Sequence, residues 1–203
     1  MGRKIIFATG NMDKMREIRE ILEGLDAEIL SMKEAGISLE IEETGTTFEE
    51  NALIKARAVA GEISEIVIAD DSGLEIDYLD KQPGIYSARF MGEDTPYEKK
   101  NQELLKRLSG VPKEQRTARF VCAAAAVFPD GSTIVCRETV EGYIGERPEG
   151  ENGFGYDPIF YVEEYGCSTA ALTRRQKNEL SHRGKALRAI RKELEKSIGQ
   201  GEH

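Results

Sequence analysis

Apolar and polar positions change period several times along the chain, and each change marks an element. "KIIFAT" (Lys4–Thr9) is a short apolar run that suits a central strand, and "GN" interrupts it. In the "DKMREIREILEGL" that follows, Met15, Ile18, Ile21, Leu22 and Leu25 share one helical face. Asn11 or Asp13 can cap that helix, and Gly24 lies near its end. "TTFEENALIKARAVAG" predicts a second helix, with Thr47 and Glu50 at capping-box spacing and an apolar side of Phe48, Ala52 and Ala56. "EIVIAD" and "LEIDYL" read as strands on either side of "DSG". "TPYEKKNQELLKRLSG" is a helix with Tyr97, Leu104, Leu105 and Leu108 inward and Gly110 as its stop.

"ARFVCAAAAVF", "PDG" and "STIVCRETVEGYI" predict a long antiparallel hairpin turning at Asp130-Gly131. The four alanines suit a helix equally well, and the flanking Phe120, Val121, Val127 and Phe128 decide for strand. A last helix runs from about Ser181 to Ile198, with Leu187, Ile190, Leu194 and Ile198 at helical spacing. Strands that alternate with helices early and form a hairpin late predict an α/β fold, a mixed sheet covered by helices. With no internal repeat or Pro/Ser-rich linker, residues 1–203 read as one domain.

Composition narrows the function classes. The 39% hydrophobic content looks low, but 20 glycines bring it near the globular average. No apolar run approaches the ~20 residues of a membrane span, and no signal-peptide pattern begins the chain, so a soluble, cytoplasmic protein is expected. A net charge of −9 argues against a general nucleic-acid coat, yet leaves room for a local basic pocket around one phosphorylated small molecule. Cys122, Cys136 and Cys167 form no CxxC pair and read as buried free thiols, and His182 and His203 are too few for a His/Cys zinc site.

Several stretches carry candidate chemistry. "ATGNMDK" joins a strand to a helix N-terminus, where free N–H groups and the helix dipole favour an anion; Thr9, Asn11 and Lys14 add donors. It lacks the spacing of a Walker A loop, and an ordinary βα turn explains it as well. The acid-rich "EIEETGTTFEEN" is either a solvated helix start or the source of a hard-cation ligand at Glu42 or Glu43; magnesium needs only a few carboxylates beside substrate phosphates. Asp70 and Asp71, at what reads as a strand end, form either an exposed turn or a metal or base site. Unpartnered, the two charges would push one pKa upward; a divalent cation or a side chain such as Lys55 would relieve them. "GENGFGYDPIF" is either a flexible loop over a hydrophobic strand or a ligand contact, where the glycines let backbone approach closely and Phe154 or Tyr156 can stack on a nucleobase. "QKNELSHRGKAL" concentrates Lys177, His182, Arg183 and Lys185 in an otherwise acidic chain; they are either solvated basic residues near a helix start or partners for phosphate oxygens.

Taken together, "ATGNMDK", "EETGTTFEENALIKA", "IADDSGLEID", "PGIYSAR", "GFGYDPIF" and "SHRGKAL" resemble, in order and spacing, the inosine triphosphate pyrophosphatase family. The resemblance covers about residues 6 to 188. It implies a long mixed sheet with flanking helices in two lobes around a central cleft, and a homodimer. It also implies magnesium-dependent hydrolysis of dITP, ITP or XTP to monophosphate and pyrophosphate. By motif, Thr9, Gly10, Asn11, Met12, Asp13 and Lys14 would hold the phosphates, with Lys55 and Asp70 also in the cleft. Glu43 and Asp71 fall at the metal positions, and Asp71 at that of the proton acceptor. Ser72 would touch substrate, Phe154, Gly155, Tyr156, Asp157 and Lys177 would line the nucleotide, and His182 with Arg183 would reach the base. Two other readings compete: a pyrophosphatase of pyrimidine nucleotides, and a nucleotide-binding sensor without turnover.

Overall fold

The computed structural model of the chain describes residues 3–199. Lys4–Phe7 (β1) pairs in parallel with Glu28–Ser31 (β2) on one side and with the start of Ile66–Ile76 (β3) on the other. Thr117–Val127 (β4) and Thr133–Ile144 (β5) form the expected hairpin, followed by Phe160–Val162 (β6) and Cys167–Ser168 (β7). The sheet order is β2-β1-β3-β4-β5-β6-β7, with β5, β6 and β7 joined antiparallel. The helices are Met12–Ile21 (α1), Phe48–Ala60 (α2), Tyr97–Arg107 (α3), Arg174–Leu180 (α4) and His182–Gly199 (α5). A mixed sheet with helices, the expected fold class, is what forms.

The chain divides into two compact units, the first of Met1–Asp71, Cys122–Glu138 and Arg183–His203, the second of Ser72–Val121 and Thr139–His182. In the first, Ile5, Phe7, Ile66, Ile68, Cys122, Ala124 and Ala126 from the strands pack with Met15, Ile18 and Leu22 of α1 and Ala186, Leu187, Ile190 and Leu194 of α5. Strand residues of the opposite parity, Ile6, Val67, Ala69, Ala123 and Ala125, are buried as well, so these strands are covered on both faces. That explains the alanine run, because it is buried on both sides. The second unit has its own core of Leu74, Ile76, Leu104, Leu108, Phe120, Val140, Ile144, Tyr156, Ile159 and Phe160.

Local signals placed most boundaries. Asn11 caps α1, its Oδ1 accepting the Lys14 N–H at 3.1 Å, and Thr47 caps α2, its Oγ1 accepting the Glu50 N–H at 3.1 Å. The β4–β5 turn closes with Phe128 N–H donating to Ser132 O at 2.9 Å, and Gly131 takes φ +83°. The helix expected to reach Leu25 ends at Ile21. The helical spacing expected at Ile198 concerns a side chain outside the described ones.

"DSG" is the main correction. It separates no strands: β3 runs unbroken through Asp70, Asp71, Ser72 and Gly73, and the two acids sit mid-strand rather than at an end. Asp and Gly disfavour strands locally, but β3 lies beside β4 in the sheet, past the end of its pairing with β1 at Ile68, and pairing overrides that preference. "LEIDYL" leaves the strand after Ile76 and turns as a 3-10 helix over Asp77–Leu79. β2, β6, β7 and α4 go beyond the sequence reading.

Candidate functional site

Two groups of side chains stand out, one in each unit. In the first unit the continuous strand answers how two adjacent acids are tolerated. Successive residues of a strand point to opposite faces. Asp70 shares parity with Ile66 and Ile68, which pack with α1 and α5, and its partners come from those helices. Lys14 of α1 reaches Asp70 Oδ2 at 3.3 Å, and Arg183 of α5 donates through Nε at 3.3 Å. The guanidinium also donates through Nη1 to Glu17 Oε2 at 2.7 Å. Burial acts to raise the Asp70 carboxyl, but Lys14 and Arg183 more than reverse it, so it lies well below the usual carboxylate range.

Asp71 faces the other way and meets α2. Asn51 Nδ2 donates to Asp71 Oδ2 at 3.2 Å, and Lys55 Nζ lies 3.4 Å from Oδ1. The same ammonium holds Glu43 Oε1 at 2.6 Å. Burial lifts the Asp71 carboxyl above its ordinary value, helped by Glu43 and Asp70 and opposed by Lys55 and Asn51. Burial disfavours the Lys55 charge, yet Asp71, Asp70 and Glu43 outweigh it and raise that pKa. Adjacent acids thus reach opposite protonation tendencies.

The Glu43 loop is held from α2. Asn51 Oδ1 accepts the Gly45 N–H at 2.8 Å, so one amide ties the loop to Asp71. A Cβ at Gly45 would sit 2.6 Å from that oxygen, which requires glycine here. Glu43, not the exposed Glu42, is brought to Lys55. Two carboxylates converging on one positive charge suit a hard cation as a donor set. Among the described residues no three His, Cys, Asp or Glu side chains form a metal-binding group; a magnesium ion here would rest on Glu43 and Asp71, with phosphate and water completing its shell.

The N-terminal loop is stitched locally, with Asn11 N–H donating to Thr9 Oγ1 at 3.1 Å. Gly10 and Met12 are exposed, Thr9 and Lys14 half-buried, and the Asp13 side chain lies outside those described.

The second unit holds the aromatic and glycine-rich group. Asp157 Oδ2 accepts from Lys177 Nζ at 2.7 Å and from Phe154 N–H at 2.8 Å, while Thr169 donates to Oδ1 at 2.8 Å. Gly153 takes φ +79°, and a Cβ there would run into the Asp157 carboxylate and Lys177 Nζ. Lys177 Nζ lies 4.9 Å from the centre of the Phe154 ring, a cation–π contact. His182 stacks on Phe120 with centroids 4.9 Å apart and planes 16° from parallel. These two rings, with Asp157, Thr169, Lys177 and Ser181, edge a recess leaving 20 Å³ for the centre of a water, room for about one molecule. Tyr156 is buried, its hydroxyl donating to Ser87 O at 2.7 Å, so it packs as core and leaves Phe154 as the stacking candidate.

The expected residues thus separate. Thr9, Gly10, Asn11, Met12, Lys14, Glu43, Lys55, Asp71 and Arg183 belong to the first unit, and Ser72, Phe154, Gly155, Tyr156, Asp157, Lys177 and His182 to the second. Arg183, expected at the base, is 4% exposed and engages Asp70 and Glu17. The sequence reading overlooked Glu17, Asn51 and Thr169. The first two were detectable, since Glu17 lies three residues from Lys14 on α1 and Asn51 four from Lys55 on α2. Thr169 carried no local signal. The cysteines are free thiols, but only Cys122 is fully buried.

Known proteins share this chain's pattern along nearly its whole length. The model of the Ham1 family matches residues 5–193. The dITP/XTP pyrophosphatase of Bacillus subtilis is 50% identical over 193 residues, covering 95% of this chain and 98% of that protein. That of a Thermoanaerobacter species is 49% identical, with 96% and 98% covered. The solved Ham1 protein of Staphylococcus aureus superposes with a TM-score of 0.87 at 40% identity, with 96% of this chain and 100% of that chain covered. With a family model, two relatives near half identity and a solved fold in agreement, this chain belongs to the Ham1 family.

Proposed function

We propose that this protein is a nucleoside triphosphate pyrophosphohydrolase. It hydrolyses dITP, ITP and XTP or dXTP to the monophosphate and pyrophosphate, removing them from the nucleotide pool. Relatives named dITP/XTP pyrophosphatase, at 50% and 49% identity, support the activity. The observation that carries the chemistry is the division of labour between Asp70 and Asp71. Asp70 is held ionised by Lys14 and Arg183, and in turn fixes their positions. Asp71, on the opposite face beside Glu43 and Lys55, is the better placed of the two to accept a proton, because Lys14 and Arg183 engage Asp70.

In this reading Asp71 takes a proton from the water that attacks the α-phosphorus, and pyrophosphate leaves with the electron pair of the broken P–O bond. Thr9 to Lys14 bind the phosphates at the start of α1, where the dipole and the Lys14 ammonium favour negative charge. Glu43 and Asp71 would hold Mg²⁺, which when bound neutralises phosphate charge and lowers the pKa of water. Ser72 touches substrate, Phe154 and His182 offer faces to a base, and Lys177 with Asp157 supplies polar contacts. A donor matched to a 6-keto oxygen would reject adenine, because a mismatched buried polar group discriminates strongly. By the same family resemblance the protein acts as a cytoplasmic homodimer; no described helix is long and apolar enough to cross a membrane.

A nucleotide panel with and without Mg²⁺, its products followed by phosphorus NMR, tests the proposal. Turnover of dITP and XTP should far exceed that of dATP, dCTP and dTTP, require Mg²⁺ and yield pyrophosphate. Preference for a pyrimidine nucleotide, release of orthophosphate, or saturable dITP binding without turnover would each replace it.

A further inference from the structure

The core-facing side of α3 carries two polar residues, Lys100 at 1% exposure and Asn101 at 4%, beside the fully buried Leu104. Burying polar groups in a core is unfavourable unless they are matched. Lys100 Nζ donates to Ala88 O at 2.6 Å. Asn101 is only half matched: Nδ2 donates to Gly155 O at 3.1 Å, while the buried Oδ1 meets no donor among the described residues. An apolar side chain of similar volume would avoid that orphan acceptor. What Asn101 supplies instead is one hydrogen bond to one loop carbonyl.

That carbonyl sits where the loop is free to choose. Gly155 takes φ +70°, and glycine populates both signs of φ about equally, so the residue permits this conformation without selecting it. Phe154 is pinned through its N–H to Asp157, and Tyr156 through its hydroxyl to Ser87 O. Between them, the Gly155–Tyr156 peptide plane is set by the Asn101 donor. The Phe154 ring that contacts Lys177 is one residue away.

We propose that Asn101 is a positioning residue: it fixes the Gly155 carbonyl and thereby the Phe154–Asp157 loop in the conformation that receives the nucleotide. The inference rests on the reading of that loop as a nucleotide contact. Its consequence falls on substrate binding, since the neighbours of Asp71 described above, Glu43, Asn51 and Lys55, are other residues.

Steady-state kinetics on dITP with Mg²⁺, together with melting curves, test it. Asn101→Leu should raise KM roughly tenfold or more while kcat stays within about threefold of the unaltered protein. Asn101→Asp, isosteric but with an acceptor facing Gly155 O, should raise KM likewise and serves if the leucine variant does not fold. Leu104→Ala opens a cavity one turn along the same buried side; it should lower Tm and leave KM unchanged. An unaltered KM in the Asn101 variants, or an equal rise in Leu104→Ala, would overturn the proposal. Absence of dITP turnover in the unaltered protein would instead overturn the functional reading beneath it, and this inference with it.

Discussion

Neutralising Arg183 measures how the buried acid of β3 is tolerated. In Arg183→Gln, Asp70 keeps Lys14 at 3.3 Å, and Glu17, with a side chain 14% exposed, can turn to water. Removing one member of a buried ion pair costs about 3–5 kcal/mol. With Lys14 still in place the lower end, about 3 kcal/mol, is expected. At about 2–4 °C per kcal/mol for a chain of this size, Tm should fall by about 6–12 °C. Thermal and urea unfolding followed by circular dichroism would measure it in Arg183→Gln, Asp70→Asn and the double variant. The double variant strands no charge at Asp70, so its cost should undercut the sum of the singles by about 1–3 kcal/mol. The pH dependence has a defined sign. Folding depresses the Asp70 pKa below the unfolded value of about 3.9, so the unfolded chain takes up the proton first. The stabilisation is therefore whole above about pH 4, and is lost as pH falls through the folded-state value. The gap between the unaltered protein and Arg183→Gln should stay flat near neutrality and close in acid. A Tm loss under about 3 °C, or strict additivity in the double variant, would refute the pairing as the reason Asp70 is tolerated.

Two further substitutions address the face proposed to carry the chemistry. Asp71→Asn keeps an oxygen for Asn51 and leaves Lys55 its 2.6 Å contact with Glu43, so melting should shift little. Loss of the proton acceptor should reduce kcat about 10²–10⁴-fold; dITP turnover near normal would sink the assigned role. Gly45→Ala places a methyl group 2.6 Å from Asn51 Oδ1 and 2.7 Å from Glu50 Cβ, so the loop must move. A cost of about 1–3 kcal/mol in urea unfolding, with a higher Mg²⁺ requirement for turnover, is expected; unchanged stability would contradict the tight fit.

Much of the fold could be read because its signals are local. The Thr47 cap, the turn at Asp130-Gly131 and the helical faces of α1 and α5 each depend on residues within a few positions of one another. β6 and β7 escaped because three- and two-residue strands have too little periodicity to register, and exist through pairing of Tyr161 with Tyr143 and of Val162 with Cys167. "DSG" misled for the converse reason: its composition is that of a turn, and only neighbouring strands make it extended.

At the candidate site the same boundary recurs. Residue types and their order set the chemical inventory and the segments that carry it, and, once β3 is known to be continuous, that Asp70 and Asp71 point apart. Which cation meets which acid came from the packing of distant segments. Arg183 comes to Asp70 across 113 positions of chain, while Lys55 gathers Asp71 and Glu43 from separate segments. The direction of a side chain from its strand is a property of local covalent geometry. Its partner, and with it the protonation state, depends on how distant helices pack and exclude water, which no local pattern encodes.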